Sequence, residues 1–412
     1  MTRRRRTLGR RTFLESCAAG GAALGVFPLL RGAMPMAKKP HVVVVGAGAF
    51  GGWTALALLR RGARVTLLDA WGPGNARASS GGETRVIRAT YGPRAVYTRM
   101  AARALALWKE SQRRWRRALY HRIGVLWLAE DDDAFEQAAL PVLQAAGVPF
   151  EKWSGAETAR RYPQINSERV RWAIFEPEGG YLMAQQACAA VLEAVLAEGG
   201  QYRQLAVEPG APTHGELGGV RLSDGTTLRA EYYVFACGPW LGKLFPDVVG
   251  DRLWVTRQEV YCFGPPAGDQ RFTDAALPVW ADHGAHFMYG IPGNEGRGFK
   301  IADDTRGPPF DPTSTDRLPT PATLAAARDY LAFRFPALRH APLLTVEVCQ
   351  YENSPDQHFI IDRHPEAANA WLVGGGSGHG FKHGPAVGEL VARLVLTGEV
   401  PDPQFRLARL AH

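Results

Sequence analysis

The sequence predicts an α/β fold of two domains, one built on a parallel sheet and the other on a mainly antiparallel sheet. Three observations predict it. A strand, glycine turn, helix and second strand begin at His41, a strand, glycine turn and helix close the chain from Ala370, and turn-linked strand pairs lie between them. At 412 residues the chain is also longer than one small core usually organises.

Residues 1–40 stand apart. Nine Lys and Arg residues against Glu15 give this segment a net charge of +8, which is that of the whole chain, so the remainder is close to neutral. The basic excess is a tag, and it does not describe a DNA-binding face. Paired Arg10 and Arg11, Phe13 and Leu14 just after them, and the small apolar run CAAGGAALGVFPLL resemble a twin-arginine export signal, which implies a periplasmic or extracellular destination. The alternative is a disordered basic leader on a cytoplasmic protein. The apolar run is too short and too rich in Gly and Pro for an ordinary membrane span.

In HVVVVGAGAFGGWTALALLRRGARVTLLDA, the β-branched run Val42–Val45 reads as a buried parallel strand. Gly46, Gly48 and Gly51 then give G-x-G-x-x-G: a tight turn, a close backbone approach to a pyrophosphate, and close helix packing. Phosphates at the helix N-terminus meet free N–H groups and the positive end of the dipole. Asp69 ends the second strand, where it can accept bonds from a ribose diol. The pattern reads as a Rossmann-like dinucleotide site and does not separate NAD from FAD.

Further along, MAARALALWKESQRRWRRAL is an amphipathic helix whose Arg113, Arg114, Arg116 and Arg117 form a solvated face. GVRLSDGTTLRAEYYVFACGPW reads as a hairpin on an Asp-Gly turn, followed by a strand that ends at Cys237-Gly238-Pro239. AHFMYGIPGNEGRGFKIA reads as another hairpin, and the Pro-rich stretch 307–321 as a loop. The second glycine turn, GGGSGHGFK, suggests that both chain ends meet at one cofactor. The cysteines are Cys17, Cys188, Cys237, Cys262 and Cys349, and their spacing fits neither a disulfide framework nor a C-x-x-C metal site. Cys188 lies in a helical pattern that suits a small buried hydrophobe. Cys349, in EVCQYENSPDQHFIID, is open to three readings: inert packing, a reactive nucleophile, or an attachment point. Tyr351 shares its face if that segment is extended.

GAGAFG, GGETRVIR, ACGPW, GFK, VCQY, HFIID and SGHGFK together resemble the flavin-dependent amine oxidases of the D-amino-acid-oxidase superfamily. The branch is that of monomeric sarcosine oxidase and N-methyl-tryptophan oxidase, and the likeness runs from about His41 to about Pro401. The resemblance implies FAD as cofactor, joined covalently through Cys349, with Gly46, Gly48, Gly51, Asp69, Ser80, Thr84, Arg85, Cys237, Gly238, Trp240, Gly376, Gly378, His379, Gly380 and Lys382 around it. It implies that Arg88 and Lys382 bind a substrate carboxylate, for which a planar guanidinium fork is well suited. Arg85 would lie close to the flavin, and Lys300 would promote reaction with oxygen through fixed positive charge. Tyr289 and Tyr351 would line the pocket. His379 is read as packing beside the glycine turn.

Two departures bear on substrate. Asp304, preceded by Asp303, stands where the sarcosine oxidase pattern has a histidine, and Pro93 replaces a glutamate. The pocket is therefore expected to take an amine other than sarcosine, more cationic at the Asp304 side.

The expected organisation is an FAD domain of residues 41–120, 172–250 and 340–412, with a substrate domain of 121–171 and 251–339. The expected reaction is oxidation of the C–N bond of an amino-acid-like, secondary or N-methyl amine, giving hydrogen peroxide from O2, by a monomer without a metal. Alternatives are a flavin dehydrogenase, an oxidase of D-amino or glycated amino acids, an NAD-linked dehydrogenase, and a flavin-binding module without catalysis. The bland readings are a surface salt bridge for Arg85 and a solvated strand lysine for Lys300.

Overall fold

The computed structural model describes residues 39–410 apart from 285. The expected export signal lies outside the described residues. His41–Val45 (β1) forms from four consecutive valines, because its two faces enter different cores. Val42 and Val44 pack with the helices on one side, and Val43 and Val45 with Phe235, Leu241 and Leu372 on the other. The glycine turn leads into Ala49–Arg60 (α1), and Arg64–Leu68 (β2) returns parallel to β1.

β1 and β2 are central in a six-stranded sheet that runs, from one edge, through Ile360–His364, Ala367–Gly374, Tyr232–Phe235, β1, β2 and Gln201–Arg203. All neighbours are parallel except the edge pair Ile360–His364 and Ala367–Gly374. The first and last strands among the described residues thus share one sheet, and α1 packs on Gly384–Thr397, the helix that follows the second glycine turn.

The second sheet has eight strands. In order they are Leu343–Asn353, Trp254–Phe263, Phe299–Asp303, Phe287–Ile291, Val279–His283, Val125–Ala129, Trp172–Glu176 and Glu151–Ser154. Every pairing is antiparallel except Val279–His283 with Val125–Ala129. The helix Pro321–Arg334 covers it, with Leu331 and Phe335 in its core. Trp172–Glu176 and Leu343–Asn353, which the expected organisation places in the FAD domain, are strands of this sheet. The described residues, 39–410, form one compact unit.

The helix expected from Met100 runs Ala95–Trp115 and ends where Arg116 takes a left-handed conformation (φ 54°). The Asp-Gly hairpin forms, with Val220 paired to Leu228. Cys188 is buried in Ala184–Ala197. Among the described residues no helix is long and apolar enough to cross a membrane.

Candidate active site

Two adjoining cavities lie between the sheets. The larger, of ≈ 290 Å³, is lined by Gly46, Gly48, Asp69 and Ser80 from the first part of the chain and by Gly376, Gly378 and Gly380 from the last. Cys237, Gly238 and Trp240 also line it. The smaller, of ≈ 80 Å³, is lined by Thr84, Arg88, Tyr289, Asp304, Cys349, His379 and Lys382. Arg85, Tyr351, Gly378 and Phe381 face both. Among the sequence-predicted residues, Gly51 and Lys300 line neither.

The first glycine turn is shaped by close approach. Gly46 has φ 104°, and a Cβ there would stand 2.2 Å from the Ala236 carbonyl oxygen. A Cβ on Gly51 would stand 1.9 Å from the Gly46 carbonyl oxygen, which is why this glycine serves packing and not the cavity. At the start of α1 the Ser80 hydroxyl accepts the Ala49 N–H at 3.2 Å, and Gly48 and Ala49 line the cavity. Asp69 braces the turn: its carboxylate accepts N–H groups from Ala47 (2.7 Å), Trp71 (2.9 Å) and Gly72 (2.8 Å). Trp71 and Trp240 meet at 4.7 Å between ring centroids on the same cavity wall. An extended, mostly apolar cavity with a helix start on its wall, a braced acid and aromatic walls fits a dinucleotide such as FAD.

Strand pairing sets the junction of the cavities. In Leu343–Asn353, Cys349 and Tyr351 lie opposite Gln258 and Thr256 and share a face. Arg85 reaches over them: it donates to the Ser79 carbonyl at 2.8 Å, the Thr84 carbonyl at 2.8 Å and Cys349 Sγ at 3.5 Å. A surface salt bridge is therefore not its role. Gly378 (φ 81°) lies against the Tyr351 ring, which a Cβ would approach to 2.6 Å.

Lys300 is 5% exposed, which excludes a solvated strand lysine. Its ammonium donates to the Thr84 carbonyl at 2.9 Å, one residue behind Arg85. Burial, and then Arg85, bring its pKa down to about 8.

In the smaller cavity Lys382 donates to Tyr91 Oη (3.0 Å) and to the His379 carbonyl (2.9 Å). Burial, then Arg88, hold its pKa well below the usual lysine value. The Arg88 guanidinium stacks on Tyr91 and Trp127, with its carbon 4.3 and 4.7 Å from the ring centroids. Asp304 accepts the Tyr351 hydroxyl at 2.7 Å, and Arg306 stands 3.8 Å away. Burial raises the Asp304 pKa, against the pull of Arg306 and Tyr351. Burial, then Lys382, hold His379 well below the usual histidine value, consistent with a neutral packing role.

Sequence reasoning missed several residues. Tyr91 joins Lys382 to His383 Nε2 (2.7 Å), and buried Glu176 accepts the Ala89 and Thr90 N–H groups at 2.7 and 3.0 Å, fixing the turn after Arg88. Glu352 lines the larger cavity. Only Tyr91 carried a signal, three residues after Arg88.

This combination of a parallel sheet with a dinucleotide turn and an antiparallel sheet roofing a cation-rich cavity defines a flavin-oxidoreductase class of fold. The chain belongs to the FAD-dependent oxidoreductase family, whose pattern it matches over residues 41–394. It is 31% identical to a monomeric sarcosine oxidase of Streptomyces avermitilis over 374 residues, covering 89% of this chain and 96% of that one. It is 28% identical to an N-methyl-L-tryptophan oxidase of Salmonella arizonae over 381 residues, covering 90% and 100%. In fold it is similar to an L-proline dehydrogenase from P. horikoshii, with a TM-score of 0.78 at 23% identity, covering 90% and 98%.

Proposed function

We propose that this protein oxidises the C–N bond of a small amino acid carrying a secondary amine. The observation that carries the reading is the smaller cavity. It opens beside the cofactor-shaped one, and its lining brings together the cations Arg85, Arg88 and Lys382 and the acids Glu259, Asp303 and Asp304. Arg88 and Lys382 suit the substrate carboxylate, and Asp304 suits its ammonium group. The small size of this cavity, ≈ 80 Å³, favours a compact amino acid over a glycated or indole-bearing one.

When bound, FAD supplies the two-electron acceptor for the substrate's C–H bond. The chain's own residues do the rest. Arg88 and Lys382 hold the acid end, and Tyr289 and Tyr351 wall the cavity. Asp304 takes the ammonium proton, which leaves the neutral amine that oxidation requires. For an N-methyl substrate, amine, water and O2 give the demethylated amine, formaldehyde and hydrogen peroxide. Arg85 provides positive charge at the cavity junction and buried Lys300 adds a second cation behind it, the feature expected of an oxygen-reducing site.

Cys349 is proposed as the flavin tether, a reading supported by its place on the wall of the smaller cavity and its contact with Arg85, which faces both cavities. Export by the twin-arginine route is proposed from Arg10 and Arg11, and a monomer from the resemblance. An anaerobic panel of amines, read by bleaching of the flavin band, tests the reaction. Bleaching by small secondary amino acids is expected; bleaching by none, or only by bulky amines, overturns the proposal.

A further inference from the structure

Tyr91 lines neither cavity, yet it touches both cations assigned to the substrate acid. It is 5% exposed, and the Arg88 guanidinium carbon stands 4.3 Å from its ring centroid. Its Oη lies 3.0 Å from Lys382 Nζ and 2.7 Å from Nε2 of His383, the residue after that lysine. His379 Nδ1 is farther off, at 3.5 Å. The main chain is secured on both sides of this contact. Trp108 Nε1 donates to the Lys382 carbonyl at 2.9 Å, and Glu176 holds Ala89 and Thr90 just before Tyr91.

One hydroxyl hydrogen has to serve two nitrogens. The His379 carbonyl can only accept, so the hydrogen between it and Nζ belongs to Lys382. An ammonium has no lone pair, so it also donates to Tyr91, and the Tyr91 O–H is left for His383 Nε2. The His383 hydrogen then sits on Nδ1, which has no partner among the described residues, so the Tyr91 side alone sets the tautomer. Burial, then Lys382, keep the His383 pKa well below the usual histidine value, so Nε2 is free to accept. With Lys382 neutral the chain would run the other way, from Nε2–H through the hydroxyl to the amine. Its direction is therefore tied to the charge on Lys382. A hydrogen bond made to the charged form favours that form, against the burial and the Arg88 charge that disfavour it here.

We propose that Tyr91 is a positioning residue of the substrate-acid site, its hydroxyl oxygen keeping the Lys382 ammonium charged and directed into the smaller cavity. The proposal rests on the reading of Arg88 and Lys382 as the acid-binding pair.

Tyr91→Phe keeps the ring beside Arg88 and removes only the oxygen. The test titrates propionate, an acid without an amine, into the oxidised holoenzyme and reads Kd from the flavin spectrum between pH 5.5 and 9.5. Besides Tyr91, the charged and titratable groups facing Lys382 are Arg88, Asp304, Glu176, His379 and His383. All five are present in every chain compared, so a pH effect of theirs is common to all. In the wild type, Kd is expected to rise on the alkaline side as Lys382 loses its proton, levelling at the value of Lys382→Met, which lacks that break. Tyr91→Phe is expected to show the same rise about one to two pH units lower. The double variant is expected to match Lys382→Met at every pH, because the hydroxyl acts only through the ammonium. A break that stays in place in Tyr91→Phe or moves to higher pH overturns the proposal, as do losses that add in the double variant. Equal propionate affinity in the wild type and Lys382→Met overturns the acid-site reading and this proposal with it. Weaker binding in Lys382→Met beside an unmoved Tyr91→Phe profile removes the role of Tyr91 alone.

Discussion

Lys382→Met removes one ammonium from the smaller cavity and keeps most of the side-chain volume. Of the three N–H groups of Lys382, one is directed at Tyr91 Oη and one at the His379 carbonyl, which leaves one for the substrate acid. The lost contact is a charge-assisted hydrogen bond in a desolvated site, worth about 1.5–3 kcal/mol. At about 1.4 kcal/mol per decade, that corresponds to roughly 10- to 150-fold in kcat/KM. Because the carboxylate does not react, the loss is expected in KM with kcat nearly unchanged. Stopped-flow reduction with the preferred amino acid and with its decarboxylated analogue measures both. The variant and the wild type should handle the analogue alike, since it has no acid to bind. Burial and Arg88 depress the Lys382 pKa, so the charge is present at low pH and is lost as pH rises through that depressed value. The wild-type KM should therefore climb on the alkaline side, and the variant should lack that limb. An equal loss of turnover on the amino acid and on the analogue would refute the assignment of Lys382 to the carboxylate.

Other outcomes are equally specific. After acid precipitation, the yellow colour should stay with the wild-type polypeptide and leave with the supernatant in Cys349→Ser, and colour lost from both counts against a thioether. Asp304→Asn should lower kcat/KM for a secondary amino acid by about tenfold or more. The Asp304 pKa is raised, so its charge is lost as pH falls through the raised value, and the asparagine variant should lack that acid limb; an unchanged pH profile would remove Asp304 from the amine site. Arg334 is fully buried and bonded to Asp282 (2.9 Å) and Glu130 (3.0 Å) beneath the eight-stranded sheet. Arg334→Met strands those carboxylates and should cost about 3–5 kcal/mol of stability in chemical denaturation, whereas a loss under 1 kcal/mol would mean that they re-pair or take up protons.

The sequence by itself determined what depends on local spacing. A run of β-branched residues, three glycines and an acid at the end of the next strand are enough to specify β1, α1 and β2, because each choice is made by backbone sterics within a few residues. The run from Thr84 to Arg88 and the GSGHGFK turn likewise exposed the cationic residues of the cavity. Tertiary structure decided what depends on partners far apart in the chain. Trp172–Glu176 and Leu343–Asn353 read equally well as strands of either sheet, and only their pairing with Val125–Ala129 and Trp254–Phe263 assigns them. Tyr91 meets His383 across 292 positions, and Glu176 secures the turn after Arg88 from 87 positions away. Lys300 reads from its strand as a solvated residue and becomes a buried cation only when Thr84 folds over it. Glu352 alternates along an ordinary strand and becomes a buried acid because a glycine turn closes upon it. Side-chain periodicity records which face a residue occupies; what covers that face, and so whether a charge is solvated, paired or turned toward a ligand, is settled only when distant segments meet.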